Sequence, residues 1–212
     1  MPMSNSIIDI AQGLFQQLQL CQLCNTDHQQ IHSVCQDCWA NLPWAKTSVQ
    51  RQEMNIQIAC HYDYPIDRMI QLFKYEQKLH LENVLAGTLL NLRLPIVSAV
   101  VPMPISTERL VERGYNQSLL IAKHVARHLN VPIWQPIERL KQHSQKGLSR
   151  IERIEDINAQ FRICNTSKIR YRKVLIIDDV VTTGSSIKAL SDQLEKLGCT
   201  DIYAACLAGA KI

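Results

Sequence analysis

The chain is 212 residues long, 46% hydrophobic and 20% charged, with 7 glycines and 8 prolines. Those values exclude a fibrous or low-complexity chain and fit one α/β domain of ordinary size plus a small accessory unit. The net charge of +4 decides little, but residues 1–50 hold one base against three acids, and residues 139–173 hold ten bases against three acids. A basic stripe of that kind attracts phosphates or nucleic acid, or is simply a solvated face. The start of the chain lacks the pattern of a secretory signal, and no apolar run approaches the ~18 residues of a transmembrane helix. A cytoplasmic location with no membrane span is therefore expected, where thiols stay reduced.

In chain order, a helix is expected over residues 6–20, where Ile7, Ile10, Leu14 and Leu18 recur at helical spacing. A cysteine cluster follows, closed by Pro43, and the polar residues 47–53 read as a linker. That divides the chain into an N-terminal unit, residues 1–50, and a second domain, residues 51–212. Residues 56–62 read as a strand, 66–75 and 81–92 as helices, and 97–101 as an apolar strand that runs into Pro102 and Pro104. After the polar segment ERLVERGYNQ, a helix spans 118–129 with Ile121, Ala122, Val125, Ala126 and Leu129 on one face. Residues 138–160 read as an irregular basic excursion. A buried strand at 173–177, a helix marked by Ile187, Leu190, Leu194 and Leu197 and stopped at Gly198, and a strand at 202–207 complete the pattern. Strands alternating with helices imply a parallel sheet.

Eight cysteines are the unusual feature of the composition, and four of them form Cys21-x2-Cys24 and Cys35-x2-Cys38, with ten residues between the pairs. Each pair makes a turn that points two thiolates at one centre, and two such turns supply the tetrahedral set of structural zinc. Redox pairs or an iron–sulfur centre are the alternatives. A closed four-thiolate shell has no open position for chemistry, so its expected role is to fold a segment too small for its own core. His28 and His32 read as loop residues. Cys60, Cys164, Cys199 and Cys206 sit singly in or beside apolar stretches and read as core packing.

The most informative segment is VLIIDDVVTTGSS, residues 174–186. Four apolar residues form a buried strand, and Asp178 and Asp179 are expected at its carboxyl end, where ligands bind in α/β sheets. Thr182, Thr183, Gly184, Ser185 and Ser186 then lead into a helix. Backbone N–H groups at a helix start, clustered hydroxyls and a glycine that permits close approach make a phosphate cradle, and carboxylates upstream suit the hydroxyls of an attached sugar. With Gly184 the only glycine here, neither a Walker loop nor a dinucleotide fingerprint fits. A capped helix after a strand with two exposed acids explains Asp178 and Thr182, but not the whole run.

This run resembles the phosphoribosyl-diphosphate motif of type I phosphoribosyltransferases, and with the four-cysteine start the chain resembles the ComF (competence protein F-like) family. Phe73-Lys74-Tyr75, Val100-Val101-Pro102-Met103-Pro104, Glu112-Arg113-Gly114-Tyr115-Asn116-Gln117-Ser118, and Gln145 followed by Arg150, Arg153 and Asn158 are similar to further stretches of that family. The resemblance implies an α/β, type I phosphoribosyltransferase fold, a parallel sheet flanked by helices, preceded by a small four-cysteine zinc-binding unit. It implies that Asp178 and Asp179 hold ribose hydroxyls, that residues 182–186 bind the 5-phosphate, and that the Pro102–Ser106 loop, which includes Met103 and Pro104, presents backbone N–H groups to pyrophosphate. Lys74, Arg109 and Arg113 are the bases expected to neutralise that pyrophosphate.

Magnesium would bridge ligand oxygens while keeping waters. The reaction implied is displacement at ribose C1 with an acceptor that the chain does not name. Residues 106–117 are the expected lid, pivoting at Gly114. The chain ends five residues after Leu207, so a hood over the base is expected from residues 62–92 or 138–165. Tyr64, Tyr75, Tyr115 and Trp134 read as packing residues rather than base platforms. The implied partners are phosphoribosyl diphosphate or a related ribose phosphate, single-stranded DNA and DNA-uptake proteins. The competing class is a non-catalytic, single-stranded-DNA-binding competence factor in which the ribose-phosphate site is regulatory.

Overall fold

The computed structural model describes residues 19–140, 160–164 and 169–210. The helix expected over 6–20 falls almost wholly outside the described residues, as do Gln145, Arg150, Arg153 and Asn158. The elements begin with α1 (Gln36–Ala40), the hairpin β1 (Trp44–Arg51) and β2 (Met54–His61), then α2 (Ile66–Tyr75) and α3 (Glu82–Leu90). They continue with β3 (Ala99–Pro102), α4 (Thr107–Arg113), α5 (Gln117–Leu129) and the short strands β4 (Ile137–Arg139) and β5 (Phe161–Ile163). The chain then forms β6 (Lys173–Val181), α6 (Ser185–Lys196) and β7 (Asp201–Gly209).

The main sheet has the order β1-β2-β7-β6-β3. Strands β2, β7, β6 and β3 run parallel, and β1 pairs antiparallel with β2 at the edge. The parallel sheet therefore carries one antiparallel edge strand, and the expected linker at 47–53 is instead most of β1 and its turn. Only Val49 of β1 is fully buried, and an edge strand tolerates such a polar face because one side meets water. Gln52 and Glu53 take φ of 47° and 63°, the left-handed pair of a two-residue hairpin turn, without the Asn-Gly that would announce it.

Alternation along β6 splits the core. Leu175 and Ile177 face a cluster built with α2, α3 and α5, and Val174 and Ile176 face one built with α6, Trp134, Ile137 and Phe161. Helix α2 covers the residues its periodicity predicts because Ile66, Met69, Ile70 and Phe73 all reach the first cluster. Helix α6 ends where Gly198 turns left-handed at φ 93°: its N–H bonds the Glu195 carbonyl at 2.9 Å and the Cys199 N–H bonds Leu194 at 3.1 Å.

The thiol-bearing segment shares the first cluster through Cys21, Val34, Cys35, Trp39 and Leu42. It docks where the His32 ring lies against Gly87 of α3, and Asn83 Nδ2 donates to Ser33 Oγ at 3.2 Å. Among the described residues, no helix is long and apolar enough to cross a membrane.

Candidate functional site

Strand β6 runs past the two acids to Val181, because its ladder with β7 continues through Asp178↔Cys206, Val180↔Ala208 and Val181↔Gly209. Asp178 and Asp179 therefore stand inside the strand rather than at its last residue, and their polarity is met by side chains from elsewhere. Lys74, in the last turn of α2, reaches Asp179 Oδ1 at 2.8 Å, with the two side chains only 17% and 10% exposed. Gln117 Nε2 donates to Asp179 Oδ2 at 3.0 Å. Ser118 Oγ donates to Asp178 Oδ1 at 3.2 Å, and the Asp179 N–H donates to the same oxygen at 2.9 Å. Gln117 and Ser118 open α5, whose first turn is capped by Asn116 Oδ1 accepting the Leu119 N–H at 3.2 Å.

Enclosure, and then the charge of Asp179, push the Asp178 carboxyl up to about 7; the Asp179 N–H, Lys74 and Ser118 pull the other way. Two carboxyls side by side with one ammonium can take both hydroxyls of a cis-diol, each as a donor.

Beyond β6, the loop at 182–184 leads to α6, with Gly184 at φ 78° in the position before it and the Ser185 N–H donating to Thr183 Oγ1 at 3.4 Å. The Thr183 and Ser185 hydroxyls lie 3.0 Å apart. Together with Asp178 and residues 180–187 they line a small hollow of about 60 Å³ that includes the hydroxyl-bearing Thr182, Thr183, Ser185 and Ser186. A wider cavity, about 580 Å³, lies beside the N-terminal halves of β2 and β7 between Arg93, Lys188 and Tyr203, away from the acids.

The expected pyrophosphate loop leaves β3 at Pro102. The Met103 N–H is bonded to Ile177 at 2.9 Å and its carbonyl accepts from Asn116 Nδ2 at 3.0 Å, while Pro104 is half-buried. Ser106 caps α4 by accepting the Arg109 N–H at 3.4 Å. The expected lid is thus largely helix α4, closed by Gly114 at φ 79°. Arg113 is 7% exposed, its guanidinium lies 5.0 Å from the Tyr75 ring, and its Nε and Nη1 find no hydrogen-bond partner among the described residues. Tyr115 packs on Phe73 and its hydroxyl donates to the Phe73 carbonyl, anchoring α2 one residue before Lys74. Tyr115 and Trp134 are packed as expected, whereas Tyr64 and Tyr75 are 77% and 65% exposed.

The four clustered cysteines place their sulfurs within 4.8 Å of one another, and Cys24 Sγ lies 3.8 Å from Cys35 Sγ. A tetrahedron with metal–sulfur bonds of about 2.3 Å has sulfur–sulfur edges of about 3.8 Å, so the set fits one metal ion. Leu23 N–H and Cys38 N–H each point at a sulfur, those of Cys21 and Cys35, at 3.4 Å. The N–H groups of Asp27 and Thr26 push the Cys24 thiol down to about 6, and burial followed by the neighbouring thiols raises Cys38. His28 and His32 are no part of the set. Cys60, Cys199 and Cys206 are buried, with burial pushing the first two up to about 12 and about 11; Cys164 is half-buried.

Residues 116–212 match the family model of the phosphoribosyl transferase domain. Competence protein F of Haemophilus influenzae is 30% identical over 196 residues, which cover 86% of this chain and 81% of that protein. The chain belongs to the competence protein F (ComF) family. The DNA utilization protein YhgH of Salmonella typhi is 26% identical over 207 residues, covering 89% of each chain. A purine phosphoribosyltransferase from Pyrococcus horikoshii is similar over 68% of this chain and 73% of its own, with 19% identity and a TM-score of 0.35. The domain match and the sheet make the core of this ComF-family chain a type I phosphoribosyltransferase fold, preceded by the four-cysteine cluster.

Sequence reasoning placed Lys74, Asp178 and Asp179 in one site, and in the structure they meet. It assigned no contact to Gln117 or Ser118, although both fall in the family stretch. It also passed over Arg139, which is tied to Gln160 at 3.1 Å, lies over Phe161 and feels the charges of Arg109 and Asp178. No local signal marks Arg139, because what distinguishes it is the Ser106–Arg139 bridge between distant segments.

Proposed function

We propose that this chain binds phosphoribosyl diphosphate, or a related ribose phosphate, with magnesium, and that it acts on the cytoplasmic side of DNA uptake. The observation that carries the reading is the acidic pair, tied to Lys74, Gln117 and Ser118, directly before the hydroxyl-rich loop that opens α6. Asp178 and Asp179 would accept from the ribose hydroxyls. The N–H groups and hydroxyls of residues 182–186 would take the 5-phosphate. Pro102, Met103 and Pro104 would flank the pyrophosphate, with Lys74, Arg109 and Arg113 opposing its charge. Lys74 is engaged with Asp179 here, so it reaches pyrophosphate only by exchanging partners.

When bound, magnesium would supply charge neutralisation between ligand oxygens, taking most of its shell from ligand and water. The two carboxylates would lower the energy of positive charge growing at ribose C1 as the C1–pyrophosphate bond lengthens. Zinc is the ion proposed for Cys21, Cys24, Cys35 and Cys38, as a structural metal of the N-terminal unit, residues 1–50.

The test is binding of phosphoribosyl diphosphate with magnesium by calorimetry and thermal shift. Wild-type protein should show a raised Tm, and the Asp178→Asn plus Asp179→Asn variant should show none; absence of any wild-type shift sinks the reading. Transfer is read separately, as pyrophosphate release against bases, amines and ribonucleotides.

A second reading is favoured by the ten bases of residues 139–173 and by relatives named for competence and DNA utilization. In it the chain is a single-stranded-DNA-binding competence factor, and its ribose-phosphate site regulates rather than catalyses. Its mark is DNA affinity that falls steeply with salt and again when Arg150 and Arg153 are replaced.

A further inference from the structure

The loop that opens α6 is held by a residue far outside the matched domain. Arg51 is the last residue of β1, paired with Met54 across the tight turn at Gln52 and Glu53. Its Nε donates to the Thr182 carbonyl oxygen at 3.2 Å, across 131 positions of chain, and its Nη1 donates to the Gln50 carbonyl at 3.0 Å. Those bonds leave Nη2 without a hydrogen-bond partner among the described residues. The stem of the same side chain fills the notch at Gly184, where an added Cβ would stand 2.6 Å from Arg51 Cβ. Glycine at 184 thus answers two demands at once: a left-handed φ and the close approach of β1.

An anion cradle works only if its N–H groups dominate the local field, and a carbonyl in the same loop opposes a phosphate. Arg51 occupies that carbonyl with a charged donor, offsetting its partial negative charge and restraining the peptide that carries it. The hairpin turn allows no slack, so the guanidinium is presented from a fixed register. An arginine fits this role better than a lysine, because one planar fork serves two carbonyls and still has a nitrogen left over.

We infer that Arg51 is a positioning residue of the ribose-phosphate loop: it clamps the Thr182 carbonyl, packs into the Gly184 notch and offers Nη2 to a phosphate oxygen. The inference rests on the ribose-phosphate reading above and extends it to an edge strand that no motif singled out. It also gives the polar segment at 47–53 a task in ligand binding.

The experiment compares full-length wild type with Arg51→Met, which keeps the stem, and Arg51→Lys, which keeps the charge. Ribose 5-phosphate is the probe, titrated by calorimetry, and amide hydrogen exchange of residues 182–187 is followed without ligand. Arg51→Met should bind the probe about tenfold more weakly, the size of one lost charge-assisted hydrogen bond. Its Tm should stay within roughly 2 °C, the loop amides should exchange faster, and Arg51→Lys should recover only part of the affinity. Wild-type affinity together with wild-type loop exchange in Arg51→Met overturns the inference. So does a fall in Tm large enough to account for the lost binding, which would make Arg51 a packing residue only. If wild type itself ignores ribose 5-phosphate, the ribose-phosphate reading fails instead, and unchanged loop exchange in Arg51→Met would still refute the clamp.

Discussion

Replacing Asp178 by Asn should make the ligand-free protein more stable at alkaline pH. Enclosure first, and the Asp179 charge second, raise this carboxyl from 3.8 to about 7. A carboxyl whose folded pKa lies above its unfolded value binds protons more tightly in the native state. Stability is therefore highest below the unfolded value and is lost as pH rises towards the folded one. Roughly three pH units at about 1.36 kcal/mol each give a ceiling of about 4 kcal/mol. Asn keeps an oxygen for the Ser118 hydroxyl and the Asp179 N–H but brings no charge, so about 2–4 kcal/mol should return near pH 8 and almost none near pH 4. Urea midpoints across that range read the effect directly, provided the m-value is unchanged. Parallel wild-type and variant profiles would refute the argument, because they would mean that Asp178 titrates like a solvated acid. The same variant should lose the ligand-induced Tm shift, so stability gained and binding lost would come from one carboxylate.

Two further outcomes test the rest of the framework. The purified protein should carry one zinc per chain by elemental analysis, and Cys38→Ser should lower both metal content and Tm, because three thiolates and a hydroxyl are a poorer set for that ion; a metal-free protein with an unchanged Tm would remove zinc from the account. Gly87→Ala should destabilise by about 1–3 kcal/mol in denaturant, since its Cβ would meet the His32 ring at 2.4 Å. Adding His32→Ala should return most of that loss, and failure to do so would show that the contact is not what Gly87 provides.

How legible each part was depends on how local its cause is. Helix α2 could be drawn from its apolar spacing alone, because the residues that recur every third or fourth position are the ones that reach the core. The strand at 173–177 was equally plain, yet β6 runs four residues further, through both acids and on to Val181. Carboxylates normally end a buried strand; here Lys74, Gln117 and Ser118 satisfy them and the ladder with β7 goes on. Residues 47–53 misled for the opposite reason. Their polar side chains match a linker, and only pairing with β2 and one buried valine reveal an edge strand.

By itself the sequence determined whatever depends on neighbours along the chain. The two Cys-x2-Cys turns bring four thiolates to one point, and the acid–hydroxyl–glycine run sets carboxylates, a left-handed glycine and a helix start in order. The eight cysteines could likewise be divided by context into four clustered thiols and four that stand alone. Tertiary structure alone decided what those groups meet. Lys74, Gln117, Ser118 and Arg51 approach the β6–α6 segment from 60 to 131 positions away, and no spacing rule encodes such contacts. It also set the acidity of Asp178, because desolvation and the field of a neighbouring charge belong to a place in space rather than to a place in the chain.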